Sequence, residues 1–214
     1  LLIIHSGSMF YGADSMLRVG VTGGLCAGKG LVTGFFSALG AATLDADVVA
    51  RAILDGDEDV RRRIMDEFGP GVVGEDGGMD RRKLAERAFT DRDKLNKLND
   101  IVHPKVKAAI RDWLREKAAA GEKEVAVVNV PLLMETGMLG DFDAAVVVSA
   151  SEEDQVLRCV KRDGLSRREA LARIRAQLPL SEKERRADYI VRNYSGREAV
   201  KKQVNELWTK LTGR

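Results

Sequence analysis

Leu17-Arg18-Val19-Gly20-Val21-Thr22, followed by Gly23-Gly24-Leu25-Cys26-Ala27-Gly28-Lys29-Gly30, is the stretch from which the fold is read. Its first six residues form a short, mostly apolar run that predicts a strand. The next seven match the front of the pattern G-x-x-x-x-G-K-[ST]. In such a loop, glycines let successive backbone N–H groups point into one concavity. The following helix presents its positive end, and the lysine reaches the outer phosphates of a nucleotide. Leu31 to Leu39 has helical character, and Gly40 suits its C-terminal cap. The competing reading is an ordinary glycine-rich turn with an exposed lysine; spacing and context together favour phosphate. The last motif position breaks the pattern. Gly30 stands where a Ser or Thr hydroxyl helps to hold Mg²⁺ beside the β- and γ-phosphates. Either water fills that place or the metal sits more loosely, which predicts reduced Mg²⁺-ATP affinity or turnover; Thr33 lies three residues on. Backbone amides can lower the pKa of a loop thiol, but Cys26 is read as a small tolerated residue in preference to a nucleophile.

Outward from the loop, strand-like and helical runs alternate. Ala41 to Asp45 reads as a second strand, with a helix beginning near Asp47. Further strands are expected at Val125–Val130, Ala144–Val148 and, more weakly, Tyr189–Val191. Near-continuous apolar strands belong to sheets covered by helices on both faces, so the sheet is expected to be parallel. Val200, Val204, Leu207, Trp208 and Leu211 have the spacing of a helix lying on a sheet face. Residues 57 to 120 are rich in charge and helix formers and predict a helical insertion. Residues 156 to 186 are strongly basic and predict two helices around Gly164-Leu165-Ser166, with Ser166 and Glu169 forming a capping box.

The chain has 214 residues, enough to bury a core without staples. Lys and Arg number 35 against 33 Asp and Glu, so bulk charge gives no reason to expect a nucleic-acid or membrane partner. Aromatics at 5% argue against a stacking platform for single strands. No apolar run approaches the ~20 residues that span a bilayer. Residues 1 to 16, including His5, read as an extension outside the fold. Two cysteines, Cys26 and Cys159, form neither a disulfide framework nor a zinc site on this reading, and fit a reducing, cytoplasmic compartment.

Val21 to Lys29, then Leu39-Gly40, then Leu44-Asp45-Ala46-Asp47, resemble the start of a dephospho-CoA kinase. The resemblance continues over almost all of residues 17 to 211. It includes Asp80-Arg81, His103-Pro104, Val130-Pro131-Leu132-Leu133-Met134-Glu135, Arg158 with Arg162-Asp163, Gln177, Ala187-Asp188 and Asn193. Order and spacing carry the match beyond the loop. It implies an α/β fold of the P-loop NTPase type: a three-layer sandwich with a parallel sheet, a helical substrate-binding insertion and a helical lid. The implied division is a nucleotide-binding core over 17–56 and 121–214, a helical CoA domain over 57–120 and a lid over 164–181. The implied reaction moves the γ-phosphoryl group of ATP, with Mg²⁺, to the 3′-hydroxyl of dephospho-CoA. Cys26-Ala27 replace the family's usual Gly-Ser pair, and Gly30-Leu31 replace a hydroxyl-bearing pair. These departures bear on metal binding and catalytic vigour.

Site residues follow from the resemblance. Gly24, Leu25, Cys26, Ala27, Gly28, Lys29, Gly30 and Leu31, with Arg158 and Asn193, are expected around the nucleotide. Thr22, Asp47, Arg81, His103, Pro131, Leu132 and Glu135 are expected around the acceptor. Lys29, Asp47 and Arg162 are the catalytic candidates, and no side chain is named as a direct metal ligand. Each has a plainer alternative. Asp47 at a strand end is either a base for the attacking hydroxyl or a helix N-cap. Asp45 is the weaker candidate. Arg158 and Arg162, four apart, share a helix face that serves either transferring phosphate or solvent. His103 is by default a structural residue, and Pro131 to Glu135 either line the acceptor pocket or close a strand end. Arg81 and Asn193 are either ligands or surface and turn residues. Two functional alternatives stand: another small-molecule P-loop kinase, or a nucleotide-binding protein with weak or lost activity because of Gly30. A monomer or weak homo-oligomer is expected.

Overall fold

The computed structural model describes residues 2–3, 16–74, 77–88 and 90–213. The strands are β1 (Leu2–Ile3), β2 (Leu17–Gly23), β3 (Ala42–Asp45), β4 (Val125–Asn129), β5 (Ala144–Ser149) and β6 (Tyr189–Arg192). The helices are α1 (Lys29–Ala38), α2 (Ala46–Gly56), α3 (Glu58–Phe68), α4 (Arg81–Ala88), α5 (Arg92–Ala120), α6 (Glu152–Asp163), α7 (Arg167–Arg175), α8 (Leu180–Arg185) and α9 (Arg197–Thr212). The chain divides into two compact units, Leu1–Asp45 with Trp113–Arg214, and Ala46–Asp112.

The first unit is built on one sheet of order β1-β6-β5-β2-β4-β3. β2 to β6 pair in parallel, as their apolar runs predict. Side chains alternate across the strands. Val146 and Val148 join Val19, Val21, Val32, Phe36, Val204 and Leu207 in the core between the sheet, α1 and α9, whereas Val147 packs with Met134 and Ala187 on the other face. α9 buries the predicted Val200, Val204 and Leu207. The extension is not wholly outside the fold. β1 pairs antiparallel with β6, Leu2 opposite Ile190 and Ile3 opposite Tyr189. Two residues are too few for a periodic signal. His5 lies outside the described residues.

Residues 156 to 186 hold the two expected helices around Gly164-Leu165-Ser166, α6 and α7, and a third, α8. Ser166 and Glu169 make the expected capping box on α7. Pro179 then stands at the N-cap of α8, where its lack of an N–H costs nothing.

The second unit holds α2, α3, α4 and the first part of α5, with an isolated antiparallel bridge between Val73 and Met79. Asp57 caps α3 by accepting from the Val60 N–H at 3.0 Å. His103-Pro104 sits inside α5, which continues past the proline. Pro104 removes one backbone donor, a loss that a 29-residue helix absorbs.

Candidate active site at the phosphate loop

β2 ends at Gly23 and α1 begins at Lys29, so the loop leaves the sheet at the carboxyl end of a parallel strand. Such ends gather ligands in open α/β sheets. Gly23, Cys26 and Gly28 all have positive φ, at 147°, 54° and 105°. Left-handed turns among ordinary ones curl the intervening amides into a nest suited to anions. Gly28 caps α1 without a side-chain hydrogen bond, and the first turn of α1 carries no acidic residue. Its N-terminal amides and dipole are therefore left to a ligand. Three loop glycines are also demanded by close approach, Gly23 among them, since a Cβ there would run into the Val148 carbonyl. A Cβ at Gly24 would lie 2.1 Å from Gln155 Oε1, and one at Gly28 would lie 2.4 Å from Asn193 Nδ2. At Gly30 a Cβ would meet nothing within 4 Å. Leu31 begins the helical bonding, its N–H donating to the Gly28 carbonyl at 3.0 Å.

The loop is braced from behind. The Ala27 carbonyl accepts from Asn193 Nδ2 at 2.9 Å and from Arg158 Nη1 at 3.3 Å. Arg158 Nη2 also donates to the Asn193 carbonyl at 3.0 Å. Both residues, expected at the nucleotide, thus meet the loop backbone. Lys29 Nζ donates to the Gly24 carbonyl at 2.9 Å. Gln155, which sequence reasoning did not single out as a site residue, is 3% exposed. It donates to the Ala150 carbonyl at 3.0 Å, and its Oε1, facing Gly24, has no hydrogen-bond partner.

Beside the loop, Asp45 Oδ2 accepts from Asn129 Nδ2 at 2.8 Å, while Asn129 Oδ1 is buried without a hydrogen-bond partner. Thr22 Oγ1 donates to the Pro131 carbonyl at 3.0 Å, which also accepts from Lys183 Nζ at 3.2 Å. Lys183, fully buried, pairs with Glu135 at 2.8 Å. Glu135 also accepts from the Leu178 N–H at 3.2 Å. Glu135 is therefore tied to the start of α8, and the hydroxyl of Thr22 is already used. Leu132 forms the turn after β4, its carbonyl accepting from the Thr136 N–H. Lys183 lies in a charged run, so nothing in the local pattern marks it as buried.

Arg162 grips its neighbour Asp163 with both Nε and Nη2, at 2.7 and 2.8 Å, and remains largely exposed. That guanidinium holds the Asp163 carboxyl below the ordinary aspartate range. In the second unit, Asp47 is exposed in the first turn of α2. It is the second helical residue and not the N-cap, and its charge complements the helix dipole. Arg81 pairs with Asp55 at 3.7 Å on the surface. His103 is half-buried, and burial first, then Lys107, lowers its pKa.

The cysteines overturn one expectation. Cys26 and Cys159 form a disulfide, with Cα atoms 5.8 Å apart and 133 residues between them in sequence. The packing of α6 against the loop makes this pair, and spacing alone gives no sign of it. Among the described residues no free cysteine remains.

Comparison with known proteins agrees with this geometry. The family model described as dephospho-CoA kinase matches residues 17–198. A dephospho-CoA kinase of Carboxydothermus hydrogenoformans is 41% identical over 186 residues, covering 87% of this chain and 90% of that protein. The solved structure of TT1252 from Thermus thermophilus superposes with a TM-score of 0.76 at 34% identity, covering 93% of this chain and all of that one. The dephospho-CoA kinase of Campylobacter jejuni shares the fold, with a TM-score of 0.61 at 23% identity over 91% of this chain and 96% of that one. With a nucleotide loop closed around its motif, a parallel sheet beneath it and a family match over most of its length, this chain belongs to the dephospho-CoA kinase family.

Proposed function

We propose that this chain transfers the γ-phosphoryl group of ATP directly to the 3′-hydroxyl of dephospho-CoA, giving CoA and ADP. The family is one of phosphotransferases of coenzyme A biosynthesis. The observation that carries the reading is the nest of amides between Gly23 and Lys29, with the Ala27 carbonyl held from behind by Arg158 and Asn193.

The nest and Lys29 bind the phosphates, Lys29 exchanging the Gly24 carbonyl for phosphate oxygen. Asp47 orients the acceptor hydroxyl and takes its proton as the new P–O bond forms. Arg162 leaves Asp163 to match the charge that spreads over the equatorial oxygens. Ala46–Asp112 takes the acceptor, and residues 164–181 act as the lid that excludes water. Mg²⁺, if bound, would supply neutralisation of the phosphate charge. The Asp45 carboxylate and the partnerless Asn129 Oδ1 are hard oxygen donors suited to a hydrated ion. Gly30 supplies none. The protein is proposed to work as a cytoplasmic monomer or weak homo-oligomer.

Gly30 favours a second reading, a nucleotide-binding protein of weak activity. ADP release, measured with and without dephospho-CoA and Mg²⁺, separates the two. Release that requires both supports the transfer. ATP binding without acceptor-dependent ADP supports the weaker reading. Equal release with nucleosides or sugars as acceptors would move the assignment to another small-molecule kinase.

A further inference from the structure

Cys26 lies in the phosphate loop and is the one non-glycine with positive φ among the described residues, at 54°. An L-residue there is strained, and glycine is not. The compensating feature is the bond from Cys26 to Cys159 on α6. Cys159 lies one residue beyond Arg158, whose guanidinium holds the Ala27 carbonyl. The disulfide and the guanidinium therefore fix adjacent loop residues from adjacent positions of one helix.

We propose that Cys26 and Cys159 form a reversible thiol/disulfide site, taking low-molecular-weight thiols and their disulfides as reactants, and that the oxidised pair holds the loop in its ATP-binding shape. A cysteine constrained by this bond keeps the left-handed conformation that the nest requires. Once reduced, Cys26 is free to relax to negative φ, which turns neighbouring amides out of the concavity.

The chemistry balances. Cys159 is fully buried, whereas Cys26 keeps 8% exposure, so an incoming thiolate attacks Cys26 Sγ. A mixed disulfide forms, the Cys26–Cys159 bond breaks, and its electron pair leaves on Cys159 Sγ, which takes up a proton. A second thiolate attacks the mixed disulfide, releases Cys26 as a thiol after protonation, and departs as the small-molecule disulfide. Two thiols are oxidised and one protein disulfide is reduced; oxidation of the protein is the reverse. Asp163 Oδ2, 3.9 Å from Cys26 Sγ, is placed to accept from the S–H of the reduced form. Dephospho-CoA and CoA are themselves thiols, so the proposed acceptor and product belong to the reactant class.

The inference rests on the loop being the ATP site. The test equilibrates the whole protein in buffers of reduced and oxidised glutathione, reads intact mass, and titrates ATP calorimetrically. The mass is expected to change by two hydrogens, and the reduced form to bind ATP about 5- to 30-fold more weakly, the factor set by one left-handed non-glycine residue. Cys159→Ser is expected to bind weakly at every glutathione ratio. Cys26→Gly is expected to bind more tightly than Cys159→Ser and to ignore the ratio. ATP affinity that stays constant while the mass changes overturns this proposal and leaves the ATP site standing, as does a mass that never changes. Absence of ATP binding in every form overturns both.

Discussion

The proposed reaction turns on two single positions, Gly30 and Asp47. Space around Gly30 is open, so a serine hydroxyl has room without displacing a neighbour. Gly30→Ser is expected to stabilise the start of α1 by roughly 0.5 kcal/mol. It should also raise kcat/KM for Mg²⁺-ATP by about ten-fold, the lower end of what a metal-supporting group contributes. Steady-state kinetics over a Mg²⁺ series checks this. Asp47→Asn keeps the shape and hydrogen-bonding reach of the side chain but cannot take a proton. It is expected to lower kcat by about 10²- to 10⁴-fold with ATP affinity unchanged. Equal losses in both would return Asp47 to a structural role. At this scale Lys29 and Gly28 were legible in the sequence because their motif is local and its geometry follows from residue type. The partner of Glu135 was not, because Lys183 reaches it from 48 residues away through a fold that pattern alone does not reveal.

α6 and α8 show how elements carry what single residues cannot. Gln155, Arg158 and Cys159 lie on neighbouring positions of α6, and all three meet the loop. The shared face of Arg158 and Arg162 was readable in the basic run, yet that spacing suits a solvated face equally, and packing alone brings Arg158 to the loop. α8 is fastened by Lys183, whose ammonium is fully buried between Glu135 and the Pro131 carbonyl. Removing one member of a buried ion pair strands the other. Glu135→Ala is therefore expected to cost about 3–5 kcal/mol in urea denaturation. Replacing both partners with apolar residues, in Glu135→Leu with Lys183→Met, should recover much of that loss. A double variant no more stable than Glu135→Ala would show that a stranded charge is not the source of the loss and that the polar contacts of the pair are themselves needed.

For the whole molecule, the parallel sheet was legible because runs such as Ala144–Val148 have no polar face to give to water. The strand order β6-β5-β2-β4-β3 was not, since several orders bury the same residues. Protonation also acts at this scale. Burial holds His103 below its ordinary value of 6.5, so the folded chain takes up that proton less readily than the unfolded one. The penalty is absent above the unfolded value, grows as pH falls from 6.5 towards the folded value, and then levels off. His103→Gln is expected to flatten that part of the stability curve, measured by urea denaturation at about pH 7.5 and about pH 5.5. One brace has a further consequence. Asn193 clasps Ala27 across 166 residues, joining the exit of β2 to the end of β6. During synthesis on the ribosome the nascent chain thus makes its nucleotide loop early but completes it late. Until β6 has emerged and docked, the loop lacks its clasp, and nucleotide in the cell has no finished cradle with which to stabilise a half-made protein.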